Sequence, residues 1–276
     1  MRSSNTVVFC AIDDLIPVSG RPLTGFPEFL ESLSAAGIPC VWATSRNRLQ
    51  LDATLRKWGH SEPFIAEGGC CVYIAEDYFH LKPARTVRLG RFIAIPVAKP
   101  QSAAAEALEL LSEQTGITVV PLRSLSPREL IQNTGLPRNE ADAIQHRDFD
   151  ELFFFAGASE QDIQRFRQHA VHLKCAVRPH GAFWSVAVNP SVGTCIRELR
   201  KLFDRAFHKA AFTVGLATTS DQAELFPSCD RVILLTDRGH EEATAKRTAG
   251  PAPKSLPLFQ RSTWEKALEA IQTRSL

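Results

Sequence analysis

The sequence contains no apolar run that approaches the roughly 20 residues needed to span a bilayer. It also lacks an excess of charge of one sign, because 32 lysines and arginines stand against 30 aspartates and glutamates. That balance gives no electrostatic case for nucleic acid or an anionic membrane as a partner. Residues 1–6 are too polar for a secretory signal. We therefore expect a cytoplasmic protein that binds neither membranes nor nucleic acids.

No Cys-x-x-Cys pair occurs among the seven cysteines. Their odd number and apolar settings predict reduced, packed thiols rather than disulfides. Cys70 and Cys71 are adjacent, and a disulfide between them would close a strained ring. What the sequence does have is a hydrophobic content of 44% and 22% charged residues over 276 positions, which is typical of a folded protein of one or two domains.

In the first part of the chain, continuous apolar runs alternate with segments whose apolar residues have helical spacing. The predicted elements are a strand at 6–12, a helix at 26–36, a strand at 38–43, a helix at 48–58 and a strand at 64–66. The first run is apolar throughout and ends at Asp13 and Asp14, as expected of a buried parallel strand. This alternation predicts a parallel sheet with right-handed crossovers.

The middle of the chain, from about 84 to 184, has the pattern of an α+β insertion with its own core. Its predicted elements are strands at 91–98 and 152–156 and helices at 102–115, 127–135, 138–145 and 160–173. The first pattern then resumes, with helices at 192–207 and 263–272, strands at 211–214 and 231–235, and a surface loop at 239–257. The sequence thus predicts an α/β protein, with a Rossmann-like core over 1–83 and 188–276 and an α+β domain over 84–187.

Polar residues and glycines stand at the predicted carboxyl ends of the core strands, where ligands bind in open parallel sheets. These positions are 11–13, 44–46, 67–69 and 215–218. Their order and spacing resemble the haloacid dehalogenase-like superfamily, specifically its branch with a large α+β cap inserted after the third strand. Within that branch the chain resembles the mannosyl-3-phosphoglycerate phosphatases.

Three local matches carry this resemblance. Residues 63–69, Pro-Phe-Ile-Ala-Glu-Gly-Gly, resemble the family's strand and turn before the cap. Residues 134–151, with Thr-Gly-Leu at their start and Arg-Asp-Phe-Asp-Glu at their end, resemble its distinctive cap segment. Residues 180–184, His-Gly-Ala-Phe-Trp, resemble its cap-exit strand, where the family usually has two glycines, an arginine and an aromatic pair.

The resemblance implies a two-step phosphoryl transfer. In the family, an aspartate at the end of the first strand attacks phosphorus, and a second aspartate two residues later serves as general acid and base. A hydroxyl after the second strand and a lysine hold the phosphoryl oxygens, and acidic residues after the fourth strand hold Mg²⁺. Asp13 matches the acid and base, and Ser45 matches the phosphate-binding hydroxyl.

Four positions depart from the family pattern. Ala11 stands at the nucleophile, Val192 at the lysine, and Thr218 and Gln222 at the metal-facing aspartates. A methyl group can neither attack phosphorus nor bind a metal. A one-residue shift turns a side chain to the opposite face of the strand, and a two-residue shift places Leu15 at the acid and base position, so neither restores the set.

Further residues of the matched segments are candidate ligand contacts. Ser45 with Arg46 suits a phosphate or a carboxylate, because an arginine offers a bidentate fork; a solvated helix N-terminus is the alternative. The resemblance implies substrate-binding roles for Glu67, Gly68, Gly69, Arg147, Asp148, Asp150 and His180. A surface salt-bridge cluster would give the same pattern in the cap.

For two residues, Asp13 and His180, a structural role is an alternative to a functional one. Asp13 either hydrogen-bonds its neighbouring loop, which we favour, or belongs to an altered ligand site. His180 stands where the family has a glycine and has no second histidine or cysteine at ligand spacing, so an ordinary histidine is predicted rather than a metal ligand.

The joint loss of nucleophile, lysine and metal carboxylates favours a catalytically inactive phosphatase homologue without a metal cofactor. We expect it to bind a phosphorylated or anionic sugar-acid ligand, or a protein partner, in the cleft between core and cap. The alternative is a Mg²⁺-dependent phosphatase that acts on mannosyl-3-phosphoglycerate or a similar compound. A purely structural protein without a small ligand is the third possibility.

Overall fold

The computed structural model describes residues 5–17, 21–80, 83, 85–219, 226–236, 254–258, 260 and 262–273. The first elements are β1 (Thr6–Ala11), α1 (Phe26–Ala35), β2 (Cys40–Ala43), α2 (Arg48–Trp58) and β3 (Phe64–Ala66). They follow the predicted order of strands and helices. Among the described residues no helix is both long enough and apolar enough to cross a membrane.

The rest of the chain forms two further groups of elements. The middle group is β4 (Cys71–Ala75), β5 (Val87–Leu89), β6 (Phe92–Pro96), α3 (Gln101–Thr115), β7 (Val119–Pro121), a 3₁₀ turn (Leu122–Ser124), α4 (Pro127–Thr134), α5 (Arg138–Ile144), β8 (Asp150–Phe155), α6 (Glu160–His172), β9 (Cys175–His180) and β10 (Phe183–Val188). The last group is α7 (Val192–Phe207), β11 (Phe212–Ala217), β12 (Arg231–Leu235), β13 (Lys254–Leu256) and α8 (Thr263–Gln272).

The larger sheet has nine strands in the order β13-β12-β11-β1-β2-β3-β4-β6-β5. Neighbours from β13 to β3 run parallel, and the remaining pairs run antiparallel. Every residue of β1 is buried, because apolar side chains of α1 and α8 cover one face of the sheet and those of α7 cover the other. A strand buried on both faces needs the continuous apolar run that the sequence has here.

The smaller sheet is antiparallel, in the order β7-β8-β10-β9. Successive residues of β8 face opposite sides, so Phe153 packs with Phe166 in one apolar cluster and Leu152 packs with Phe183 in another. Phe153 is fully buried, and the Phe153–Phe155 run lies in β8. Each face of this sheet thus has its own small core.

The start of α2 fixes the loop that carries Ser45 and Arg46. The Asn47 side chain accepts a hydrogen bond from the Gln50 amide at 2.9 Å, and the Gln50 side chain accepts one from the Asn47 amide at 3.3 Å. This reciprocal capping box satisfies two amides that the first turn of a helix leaves without partners. Gly59 ends the same helix at φ 60°, as the sequence predicts.

Three elements differ from the expectation. The strand expected at 91–98 within the inserted domain lies at Phe92–Pro96 and pairs with β4 in the nine-stranded sheet. The apolar run of β4 was not predicted as a strand; it turns back on β3 and continues that sheet antiparallel. β13 lies inside the loop predicted at 239–257, of which residues 239–253 are outside the described residues. The domain limits at 83 and 188 remain a prediction.

Candidate functional site

The candidate site lies where β11, β1, β2 and β3 end side by side. The register pairs Ala11 with Ala43 and Ala43 with Ile65, and it pairs Cys10 with Leu216. The residues that follow these strands therefore meet at one edge of the sheet. This edge brings together residues 11–13, 44–46 and 67–69 with Thr218, as the sequence predicts.

Ala11 ends β1 and is 4% exposed. It belongs to the same apolar cluster as Val192, the first residue of α7, which is also 4% exposed. The positions matched to the family's nucleophile and lysine are thus both apolar and both part of the core beneath the edge. Neither side chain offers a nucleophilic atom, a proton or a charge.

Asp13 is held by the loop after β2. Its Oδ2 accepts hydrogen bonds from the Ser45 amide at 2.8 Å and the Ser45 hydroxyl at 2.7 Å, and its Oδ1 accepts one from the Thr44 hydroxyl. This arrangement supports the loop-bonding interpretation. It also occupies the Ser45 hydroxyl, which the resemblance assigns to a phosphoryl oxygen.

Arg46 is almost fully buried, and its Nε lies 3.8 Å from Asp13 Oδ1. Its Nη2 donates a hydrogen bond to the Ile16 carbonyl oxygen. Burial lowers the pKa of Arg46. The solvated helix N-terminus considered for this residue is therefore wrong, because the guanidinium is enclosed and ties the loop after β2 to the loop after β1.

Glu67 connects the end of β3 to the cap segment. Its carboxyl group is buried and accepts three backbone N–H bonds, from Asp148 at 3.0 Å, Phe149 at 2.7 Å and Asp150 at 3.0 Å. Burial first, and then the charge of Asp150, raise the pKa of Glu67 to about 8, against the opposing influence of Arg147. Glu67 thus holds the start of β8 against the strand-end edge.

Arg147 and Asp150 form a buried ion pair, each side chain being 3% exposed. The guanidinium Nε and Nη2 reach the two Asp150 oxygens at 2.5 and 2.7 Å, and Nη2 also donates to the Ser45 carbonyl at 2.9 Å. Coulombic attraction to Asp150 and hydrogen bonding to it outweigh burial and raise the pKa of Arg147. The surface salt-bridge interpretation of these two residues is therefore wrong.

Asp148 makes a second tie between the cap segment and the large sheet. One of its oxygens accepts hydrogen bonds from the Tyr73 hydroxyl at 2.8 Å and from Arg48 Nε at 3.1 Å. Both donors belong to elements that pack on or lie in the nine-stranded sheet. Their involvement was not anticipated, because nothing in the local sequence around Tyr73 or Arg48 indicates a partner 75 or 100 residues away.

Gly68 and Gly69 provide close backbone contact at the end of β3. A Cβ on Gly69 would lie 2.5 Å from the Val192 amide nitrogen, and the residue adopts φ 95°. The Gly69 carbonyl accepts the Ser191 amide at 2.9 Å, and the Gly68 carbonyl accepts Arg178 Nη1 at 2.6 Å. Arg178 was not a sequence candidate, since its approach depends on the pairing of β9 with β10.

His180 ends β9 and reaches the same edge. Its Nδ1 is buried and has no hydrogen-bond partner among the described residues. Burial first, and then the charge of Arg147, lower the pKa of His180 to about 4, while Asp13 and Asp150 act in the opposite direction. The imidazole of His180 is therefore neutral at neutral pH.

The described residues do not fit a Mg²⁺ ion. Thr218, at a position where the family has a metal-facing aspartate, donates a hydrogen bond to Asp14 Oδ2 at 2.7 Å, and the Asp13 oxygens already accept three donors. Across the described part of the chain no group of three His, Cys, Asp or Glu side chains is arranged to hold a metal. Gln222 lies outside the described residues.

No family model matches the chain, but individual proteins are similar to it. A glucosyl-3-phosphoglycerate/mannosyl-3-phosphoglycerate phosphatase of Persephonella marina is 23% identical over 209 residues, which is 75% of each chain. A mannosyl-3-phosphoglycerate phosphatase of Pyrococcus furiosus is 22% identical over 237 residues, which cover 86% of this chain and 93% of the relative.

Solved structures share the fold over nearly the whole length. A sugar phosphatase of subclass IIB of the haloacid dehalogenase superfamily, BT4131, superposes with a TM-score of 0.61 at 15% identity, covering 96% of this chain and 98% of its own. BT1666 of Bacteroides thetaiotaomicron gives 0.62 at 14% identity, covering 98% and 97%. The chain therefore has the fold of the haloacid dehalogenase superfamily, as in its subclass IIB sugar phosphatases, and it has mannosyl-3-phosphoglycerate phosphatases as homologues at low sequence identity.

Proposed function

We propose that this chain is a phosphatase homologue whose cleft, between the strand-end edge and the cap segment, receives a phosphorylated sugar acid. Mannosyl-3-phosphoglycerate is the model compound, because relatives that cover most of the chain are named for acting on it. The observation that carries the proposal is the tie made by Glu67, whose three backbone bonds hold the cap segment over this edge.

Hydrolysis of the phosphomonoester is the first candidate activity. Its support is that these relatives are named as phosphatases, which favours the phosphatase alternative over the inactive homologue that the sequence alone favoured. With an alanine at residue 11, hydrolysis has to proceed without a carboxylate at the end of β1. The Mg²⁺ requirement is part of what the experiment measures.

Binding without hydrolysis is the second candidate, and one specific observation favours it. Ala11 and Val192 are packed into a shared apolar cluster at the positions matched to the attacking carboxylate and the phosphate-binding lysine. His180 lies near this edge, since the charges of Arg147, Asp150 and Asp13 act on its pKa.

The deciding experiment uses the full chain with mannosyl-3-phosphoglycerate. Phosphate release is followed with Mg²⁺ and with EDTA, and binding is followed by isothermal titration. Release that needs Mg²⁺ and is lost in Asp13→Ala supports hydrolysis, because Asp13 matches the acid and base. Saturable binding without release supports the second candidate.

The exposed pair of Arg88 and Glu76 offers a matched control, and Glu76→Gln should change neither result. If the chain neither binds nor hydrolyses the compound or related sugar phosphates, the proposal is wrong. A protein partner without a small ligand would then be the remaining possibility.

A further inference from the structure

A groove of about 570 Å³ is lined by one side of α6 and by β9, the outer strand of the smaller sheet. The residues that the argument uses are Arg167 and Val171 of the helix and Cys175 and Val177 of the strand. Arg178 also lines the groove, but its guanidinium already donates a hydrogen bond to the Gly68 carbonyl. The groove is therefore a feature that the proposed function does not use.

The edge of β9 that faces away from β10 has no neighbouring strand. The order β7-β8-β10-β9 gives β9 a single partner among the described residues. A two-residue loop joins β9 to β10, with Gly181 at φ 61°, and in such hairpins the residue before the loop, here His180, exchanges backbone hydrogen bonds with the opposite strand. Because this direction alternates along an antiparallel strand, the backbone groups of Cys175, Val177 and Pro179 point outward.

Two neighbouring residues support this direction of the backbone. Proline has no N–H, and Pro179 removes no bond of the sheet where its nitrogen points outward. Lys174, one residue before Cys175, uses its carbonyl in the opposite direction and accepts the Asn189 amide at 2.9 Å. Within the described part of the chain, no backbone hydrogen bond outside the sheets involves Cys175 or Val177. Their outer N–H and C=O groups are therefore available to a further strand.

The charges at the groove are positive. Arg167 in its lining and Lys174 beside it are exposed, and neither belongs to an ion pair of the described residues, whereas Arg165 of the same helix pairs with Asp162 at 3.0 Å. The lining contains no carboxylate, and the sequence has no aspartate or glutamate from residue 163 to residue 197. Charge complementarity therefore favours a ligand that carries carboxylates.

The shape of the groove and its one exposed apolar side chain favour an extended segment. Val171 is 69% exposed and lines the groove beside the open edge. The side chains of an added strand alternate in direction, so that those pointing toward α6 would meet Val171 and Arg167. A second copy of this chain is disfavoured, because pairing of β9 with itself about a two-fold axis would bring Arg167 and Lys174 of both copies together.

We propose that β9 and α6 form a docking site for an acidic, extended peptide segment of another protein, which adds a fifth strand to the smaller sheet. The backbone of the peptide bonds to the outer groups of Cys175 and Val177. Its carboxylates pair with Arg167 and Lys174, and an aliphatic side chain covers Val171. This interface goes beyond the proposed function, since none of these five residues takes part in the cleft.

The test uses the purified full chain and a fluorescein-labelled octapeptide, Glu-Glu-Val-Val-Glu-Glu-Val-Val, both faces of which carry glutamate and valine when it is extended. We expect saturable binding by fluorescence anisotropy, at least tenfold weaker for the same peptide with lysine in place of glutamate. Arg167→Glu should weaken binding of the acidic peptide at least fivefold. Arg128→Glu, which changes an exposed arginine of α4, is the matched control and should leave the affinity unchanged.

Hydrogen exchange locates the bound peptide. Saturating acidic peptide should slow exchange at the Cys175 and Val177 amides, because these donors become bonded to the added strand. Exchange at Val119 in β7, at the other edge of the smaller sheet, is the internal control and should not change. A peptide with N-methyl groups at alternate residues keeps the charges but cannot complete the strand pairing, and it should bind at least tenfold more weakly.

Several results would overturn this inference. They include no binding of the acidic peptide at about 1 mM, equal affinity for the lysine peptide, and equal affinity of wild type and Arg167→Glu. Binding without slower exchange at Val177 would place the peptide on another surface. Protection of Val177 that increases with protein concentration in the absence of peptide would show that a second copy of the chain occupies the edge instead.

Competition separates this interface from the proposed function. Saturating mannosyl-3-phosphoglycerate should not displace the acidic peptide, and displacement would place the peptide in the cleft instead. Failure of the phosphoryl compound to bind or react leaves the peptide titration unaffected. The failure of either proposal is therefore recognised separately.

Discussion

At the scale of single residues, the sequence matches Ala11 and Val192 to two family positions whose usual groups depend on each other. A carboxylate and a lysine at these positions would form a charge pair at the edge of the core. The methyl group of Ala11 and the isopropyl group of Val192 need no charged partner, and they pack in one apolar cluster. Replacing only one member would leave a buried charge without compensation. The sequence predicts both replacements, and in the structure the two side chains belong to one apolar cluster.

This pairing predicts how the stability changes when an aspartate and a lysine are introduced at residues 11 and 192. We expect Ala11→Asp alone to lower the free energy of unfolding by about 2 kcal/mol or more, because the new carboxyl group is buried among apolar side chains. The double variant Ala11→Asp with Val192→Lys should recover about 1 kcal/mol of that loss through the new ion pair. Urea denaturation of both single variants and the double variant measures this coupling, and strictly additive losses would contradict it.

The buried histidines predict the acid response. Burial lowers the pKa of His60 to about 3 and that of His180 to about 4. Below the ordinary histidine pKa of about 6.5, these two histidines are protonated in the unfolded chain but remain neutral in the folded chain. Stability conferred by the neutral rings is therefore present above that pH and decreases as the pH falls toward 4, by up to about 1.4 kcal/mol per pH unit for each ring.

Denaturation at a series of pH values tests this dependence. His60→Gln and His180→Gln should each flatten the slope between pH 6.5 and 4. His172→Gln, at the exposed end of α6, is the control and should keep the wild-type slope. An unchanged slope in both buried variants would show that other groups cause the acid sensitivity.

At the scale of elements, the turn after β3 sets how closely α7 approaches the sheet. Gly69→Ala should lower the free energy of unfolding by at least about 2 kcal/mol, since its Cβ would lie 2.5 Å from the Val192 nitrogen at φ 95°. Gly37 also has a positive φ, of 64°, but has no atom within 4 Å of a new Cβ. Gly37→Ala should therefore cost about 1 kcal/mol, from backbone strain alone. Equal losses in thermal melts would mean that α7 can move away.

Local signals explain which elements could be predicted. The continuous apolar run of β1 and the glycine after α2 specify an element type without information from the rest of the chain. The partner of β6 could not be predicted, because an apolar strand of five residues fits either sheet equally well. At the site, Asp13 and Ser45 were identifiable from their position after strands, whereas Arg178 and Tyr73 act through contacts made only in the folded chain.

At the scale of the whole molecule, the two sheets are joined by buried polar groups. Glu67 accepts three backbone amides of the cap segment, and Glu67→Ala would leave them without an acceptor. We expect a loss of about 3 kcal/mol or more, since each buried unpaired donor costs about 1–3 kcal/mol. Hydrogen exchange should also become faster at residues 148–150.

The exposed Glu76 is the matched control. It pairs with Arg88 at the surface, and Glu76→Ala should change stability by less than about 0.5 kcal/mol. Exchange at residues 148–150 that stays slow in Glu67→Ala would mean that other contacts, such as those of Arg147, are sufficient to hold the cap segment in place.

The hydrogen bonds of Asp13 affect any phosphate that enters the cleft. The Ser45 amide and hydroxyl, which would bind a phosphoryl oxygen, already donate to this carboxylate. The Asp13 carboxylate would therefore compete with a phosphate ligand for these donors. A phosphate group would have to displace Asp13 or share the Ser45 amide and hydroxyl with it. The affinity for phosphate would then depend on the free energy of exchanging the Asp13 carboxylate for phosphate at Ser45. The NMR chemical shift of the Ser45 amide would report that exchange directly.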